Sequence, residues 1–196
     1  MEKSELCLRA VKRIQWLLIF GATLGSLVFG LSQGARAGDM VDRIKARFNR
    51  DIGKPRLILL ASPTCPACAG GAQYIEQEIL EKFPKLDLQV YAVWYEMLPG
   101  DSKAAFPAAK KMMPDARVAH YWDKKKAAGR WFKTNVPSAF SKPIQWDVYY
   151  LYDSDARWEQ TPAPLVSTGR TLLETRKELL RQVSLLDEKR NEASIQ

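Results

Sequence analysis

Residues 56–68 read RLILLASPTCPAC. Arg56–Ser62 is a continuous apolar run too short for a helix, which predicts a buried strand. Pro63-Thr64-Cys65-Pro66 then turns the chain into a helix, because Pro66 suits the first helical position, where a backbone N–H has no intrahelical partner. Tyr74, Ile75, Ile79, Leu80 and Phe83 repeat at helical spacing, so this helix runs to about Lys82, with Pro84 just beyond it. Asp87–Trp94 (DLQVYAVW) alternates and predicts a second strand. Strand, helix and strand in this order form one right-handed βαβ unit. Cys65 and Cys68 sit where its first strand meets its helix.

That placement has chemical consequences. Backbone N–H groups and the positive end of the helix dipole point at the Cys65 sulfur and favour thiolate over thiol. Cys68 lies within one helical turn. Cys65 is therefore the expected attacking group on a disulfide and Cys68 the group that resolves the mixed disulfide. A structural staple explains the pair poorly, since a bridge across two residues removes little unfolded-state entropy. A soft Cu(I)-type ion held by Cys65, Cys68 and a third ligand such as His120, Met97, Met112 or Met113 is the alternative chemistry. A non-catalytic interaction module is a further one. Two cysteines and one histidine cannot supply a four-ligand zinc site within one chain. Ala69 follows Cys68 where haem attachment needs histidine. No cofactor is expected. His120 as a base for Cys65 lacks any patterned Asn or Asp to orient it. Glu96 and Asp101, in a loop at the end of the second strand, would raise the Cys65 pKa if close and receive no role.

Outside this unit, Asp39–Gly53 carries Val41, Ile44 and Phe48 at helical spacing. Ser102–Met113 is expected to be helical, Arg117–Trp122 an added strand, and Asp123 a cap for a short helix to about Lys133, with residues 134–143 a loop. Asp147–Tyr152 is a strand by its β-branched and aromatic content. Asp153-Ser154-Asp155 reads as a turn to a short partner at Arg157–Gln160, and Thr161–Pro164 as a Pro-rich break. Thr171–Glu174 is a capping-box pattern. It opens a last helix with Leu172, Leu173, Leu179, Leu180, Val183 and Leu186 on one face, and residues 188–196 form a polar tail expected to fray.

With 46% hydrophobic and 27% charged residues the chain is a globular one of a single domain, not a disordered one. The net charge is +8, of which residues 38–196 hold +5, from 25 basic and 20 acidic residues. Lys124-Lys125-Lys126 is the one tight basic run and reads as a solvated face, so nucleic acid is not an expected partner. Residues 1–37 combine a basic start, an 18-residue apolar run at 14–31 and Ala35-Arg36-Ala37. These are the parts of a secretory signal. The run spans about 27 Å as a helix, so an uncleaved anchor is the alternative. Either places the domain beyond the membrane, in the periplasm of a bacterium. Cys7 precedes the apolar run and is read as incidental. Two cysteines then remain in the exported part.

Leu57–Ala61, Thr64-Cys65-Pro66-Ala67-Cys68, Leu88–Val93, Asp147–Tyr152 and the last helix together resemble the thioredoxin superfamily, over roughly residues 50–186. The resemblance implies an α/β fold: a central sheet flanked by helices, with a helical insertion at about 95–146 between the second and third core strands. It implies an exported thiol–disulfide oxidoreductase with Cys65 and Cys68 as catalytic residues. Its partners would be exported protein thiols or disulfides and a redox partner, with residues 14–31 as a possible membrane tether. Thr64, Pro66, Ala67, Pro143 and Trp146 would line the substrate groove. The chain departs from the family pattern in three places. The cis-proline that such proteins carry before the third core strand has only Pro143 to fill it, if the strand begins at Ile144. The first strand, Arg56–Ala61, lacks the acidic residue that assists the second cysteine in thioredoxins proper. Thr64 replaces the aromatic that often precedes the first cysteine.

Overall fold

The structure, a computed structural model, describes residues 40–136 and 140–194. Residues 1–37, and with them the signal or anchor, Cys7 and Trp16, lie outside the described residues. Among the described residues no helix is long and apolar enough to cross a membrane.

The chain order is α1 (Met40–Arg50), β1 (Arg56–Ala61), α2 (Pro66–Tyr74), β2 (Gln89–Trp94), α3 (Phe106–Lys110), β3 (Val118–Trp122), α4 (Ala127–Asn135), β4 (Val148–Trp158), β5 (Pro162–Arg170) and α5 (Leu172–Ala193). The five strands form one sheet in the order β3-β2-β1-β4-β5. β1, β2 and β3 are mutually parallel, while β4 runs antiparallel to β1 and β5 antiparallel to β4. This mixed sheet flanked by helices is the expected fold class. The segment between β2 and β4 is not helical alone. It also adds β3 to the sheet edge.

Alternation of side chains along the strands creates two cores. Leu57, Leu59, Val90, Ala92, Trp94, Tyr149 and Leu151 face α2, the segment Ile75–Leu80 that continues it, and α5, which contribute Ala72, Ile75, Ile79, Leu172, Leu179 and Val183. Ile58, Leu60, Tyr91, Val93, Tyr150 and Tyr152 face α1 and α4, which contribute Ile44, Phe48, Ala128 and Phe132. β1 is buried along its whole length, as a central strand covered on both faces must be. The expected helix after the cysteines is present, but its second half, Ile75–Leu80, is π-helical.

The expected turn at Asp153-Ser154-Asp155 does not form. β4 runs through it to Trp158, and β5 begins at Pro162, so the hairpin turn falls at residues 159–161. The cause lies in β1. The buried guanidinium of Arg56 collects the carbonyls of Asp153 (2.5 Å), Ser154 (3.2 Å), Ala156 (2.9 Å) and Phe48 (3.2 Å). It also stacks over the Phe48 ring, 4.3 Å from its centroid. Register shifts around Tyr152 accommodate the bend, and buried Ala156 and Trp158 anchor the strand's second half. Pro162 and Pro164 are tolerated because β5 is an edge strand.

Ser102–Met113 contains only a 3-10 turn, Lys103–Ala105, and the short α3. The residue before α4 is Lys126 rather than Asp123, but the Asp123 carboxylate, three residues earlier, accepts the Ala128 N–H at 2.8 Å. Thr171 caps α5 as expected, its Oγ1 accepting from the Glu174 N–H at 3.4 Å. The tail does not fray at Asp187. α5 continues to Ala193, with Lys189 paired to Asp153 (2.6 Å) and Arg190 to Asp187 (3.0 Å). Leu173 is exposed, because it stands about 100° round the helix from Leu172.

Candidate functional site

One end of the sheet gathers four chain segments: the turn after β1, the loop after β2, the residue before β4, and the start of α5 after β5. The register makes this so. Ala61 pairs with Trp94, Leu60 with Val148, and Val148 with Arg170.

Cys65 is extended (φ −74°, ψ 118°) and is the N-cap of α2. Its sulfur accepts the Cys68 N–H at 3.2 Å. Pro66 occupies the first turn, as the sequence predicts. Thr64 and Pro66 are exposed and Ala67 half-buried, so the side chains flanking Cys65 form a rim around a sulfur that is nearly buried. Cys68 is fully buried. Both are free cysteines.

The two thiols are driven apart in acidity. The Cys65 pKa is lowered to about 7, first by the Cys68 thiol as hydrogen-bond donor, then by the backbone N–H groups of Cys68 and Ala67; burial and Asp147 oppose the shift. The Cys68 pKa is raised, first because its thiol is the donor to Cys65 and second because it is buried, with Asp147 adding to the rise. The thiolate that forms around neutral pH is centred on Cys65 and held by the Cys68 thiol.

Asp147 is the site residue that sequence reasoning missed as such. A carboxylate oxygen of Asp147 and both sulfurs lie within 4.8 Å of one another, all in buried residues. Asp147 adopts a left-handed conformation, φ 55°, immediately before β4, a region open to Asp and Asn more than to other non-glycine residues. Its Oδ1 accepts the Leu172 N–H at 3.1 Å. Burial raises the Asp147 pKa, opposed by the Leu172 N–H and by the Cys68 thiol. Asp147 thus places a carboxylate beside the cysteine pair, where β1 has none. α5 can bring Leu172 this close because Gly71 has no side chain: a Cβ there would lie 2.4 Å from Leu172 Cβ.

Asp101 acts on the loops instead. Its carboxylate accepts from Ser62 Oγ (2.6 Å), the Thr64 N–H (2.9 Å), Thr64 Oγ1 (2.7 Å), the Met97 N–H (2.6 Å) and the Leu98 N–H (2.7 Å). Burial opposes its ionisation, but the hydrogen bonds from Ser62, Thr64, Leu98 and Met97 prevail and hold its pKa at about 2. It pins the loop after β2 to the turn that presents Cys65.

Three sequence expectations change here. His120 is not brought to the cysteines. Its Nδ1 accepts the Trp94 Nε1–H at 3.2 Å and its Nε2 meets the Met113 carbonyl at 3.0 Å, so both ring nitrogens are engaged on β3. Met113 is buried in the core, with Met112 packed against the same cluster. Pro143 does not take the place before the strand. It is exposed, β4 begins at Val148 rather than near Ile144, and Asp147 stands there instead; among the described residues the cis Xaa-Pro bond is Ala163–Pro164, in β5. Trp94 is fully buried and serves packing, whereas Trp146, beside Asp147, is half-buried.

No protein-family model matches this chain, and no curated protein matches it. Among solved structures, it is similar to a proposed protein disulfide isomerase from Bacteroides thetaiotaomicron, at 15% identity and TM-score 0.50, over 71% of this chain and 77% of that one. The fold is thioredoxin-like. Two further similar structures are a secreted disulfide oxidoreductase of Mycobacterium tuberculosis (16% identity, TM-score 0.47, 70% of this chain and 85% of that one) and a SCO1/SenC family lipoprotein from Bacillus anthracis (14%, 0.47, 70% and 84%). On this thioredoxin-like frame the segment before β4 faces the cysteine pair, which is why a residue far from Cys68 in the chain becomes its neighbour.

Proposed function

We propose that this chain is an exported thiol–disulfide oxidoreductase that exchanges disulfides with protein partners through Cys65 and Cys68. The carrying observation is the Cys68 N–H donating to Cys65 Sγ at 3.2 Å at the start of α2, with exposed Thr64 and Pro66 on either side. The Cys65 thiolate attacks one sulfur of a partner disulfide. A Cys65–partner bond forms, the partner's S–S bond breaks, and the departing thiolate takes a proton from solvent. Cys68 then passes its proton to the Asp147 carboxylate and attacks Cys65 Sγ. The Cys65–Cys68 disulfide forms, the Cys65–partner bond breaks, the second departing thiolate takes a proton from solvent, and the partner leaves as a dithiol, reduced by two electrons. The reverse sequence oxidises a partner dithiol. Thr64, Pro66, Ala67 and Trp146 are the contacts proposed for the partner chain. Residues 1–37 support export, by cleavage after Ala37 or by an anchor at 14–31.

The test is Cys68→Ser in the full chain, in the presence of a chelator. Mixed disulfides joining Cys65 to exported proteins should accumulate and disappear in Cys65→Ser/Cys68→Ser. An absence of trapped partners, with the thiolate still reactive toward a small alkylating agent, would refute protein disulfide exchange.

A further inference from the structure

We propose that the reduced site is also a zinc site in which Cys65, Cys68 and Asp147 are the three protein ligands. Two sulfurs and one carboxylate oxygen within 4.8 Å of one another are the donor set of the only such group among the described residues. A tetrahedral ion with Zn–S near 2.3 Å and Zn–O near 2.0–2.2 Å places its ligands roughly 3.5–3.8 Å apart. The donor atoms, at most 4.8 Å apart, need to close by at most about 1 Å to reach that spacing.

The chemistry of the donors selects the ion. A Cu(I)-type ion prefers sulfur and imidazole donors. The imidazole is committed to Trp94 and the Met113 carbonyl. What completes the pair is a carboxylate, a hard oxygen donor that together with thiolates suits borderline Zn(II). The carboxylate is also oriented from behind. Its Oδ1 accepts the Leu172 N–H at 3.1 Å, the kind of outer contact that fixes a metal ligand in place. Three protein ligands leave one position for water.

The ion and the disulfide compete for the same sulfurs. Zinc coordination requires both thiols reduced, so a bound ion withholds the pair from exchange until it leaves. The inference does not depend on exchange activity, because ion binding is read on reduced protein with no partner present.

The test titrates reduced full-length protein with Zn(II) against a chromophoric chelator, and in parallel with Co(II) as a spectroscopic stand-in. One ion per chain is expected, with a Co(II) spectrum showing thiolate charge-transfer bands and the intense visible bands of a tetrahedral site. Asp147→Asn keeps the amide oxygen for Leu172 and tolerates φ 55°, and should weaken Zn(II) by at least the roughly 10–100-fold that loss of an outer-shell partner costs, with an unchanged melting temperature. Zn(II)-loaded protein should resist oxidation by oxidised glutathione, and chelation should restore it. No binding by wild type, half an ion per chain, or equal affinity in Asp147→Asn would each overturn the proposal. None of these results touches the trapping experiment run in chelator.

Discussion

Asp147 and Cys68 are buried neighbours that approach from different elements, the carboxylate from a left-handed residue ahead of β4 and the thiol from the first turn of α2. Cys65 is 5% exposed and flanked by exposed Thr64 and Pro66, whereas Cys68 is fully buried.

The Cys65 alkylation rate should rise with a midpoint near pH 7, against about 8.5 for a free thiol. Cys68→Ala removes the S–H that stabilises the thiolate. Loss of a donor to the charged form favours the neutral thiol, so the midpoint should move up, by about one unit. Iodoacetamide kinetics against pH measure both.

Asp147→Asn should leave the first attack intact and slow resolution, lengthening the life of a mixed disulfide with a model peptide by about 10²-fold. Stopped-flow release of the peptide thiol reads this step alone. Asp147→Ala should cost about 2 kcal/mol of stability, from the strained backbone and the lost bond to Leu172. Asp147→Gly should regain roughly 1 kcal/mol of that, since glycine takes φ 55° freely.

Asp101→Ala orphans donors on Ser62, Thr64, Met97 and Leu98 and should destabilise by about 3 kcal/mol or more. The sign of the pH effect follows from the lowered pKa. The carboxylate's contribution is fully present above its unfolded value of about 3.9 and is lost as pH falls through about 2. The stability gap between wild type and Asp101→Asn should therefore narrow between about pH 4 and pH 2, as measured by urea unfolding at stepped pH.

Gly129→Ala should destabilise by about 1–3 kcal/mol. Its Cβ would lie 2.6 Å from Ile144 Cγ2 and 2.7 Å from both the Gln145 carbonyl oxygen and Tyr95 Oη. These atoms hold the chain as it approaches Asp147, so the same variant should also slow resolution by Cys68 more than attack by Cys65.

Features that local forces decide are legible in the chain alone. The apolar run of β1, Pro66 at the start of α2, the periodic helix behind it and the Thr171 cap each act within a few residues, and each is found where periodicity and capping place it. The order of Cys65 and Cys68 across a helix start likewise follows from spacing. Features that depend on register and burial emerge only when the sheet assembles. The Asp153–Asp155 stretch has turn chemistry, yet Arg56 on a neighbouring strand claims its carbonyls and β4 continues. His120 is chemically fit to join the cysteines, yet its place opposite Ala92 in the sheet commits its ring to Trp94 and Met113. Asp147 begins a strand in the sequence and becomes the acid of the site only because antiparallel pairing of β4 with β1 sets its first residue beside the turn that ends in Cys65. Side chains brought together across a sheet leave no periodic trace in the chain, since the distance between them is set by strand pairing rather than by any spacing along the sequence.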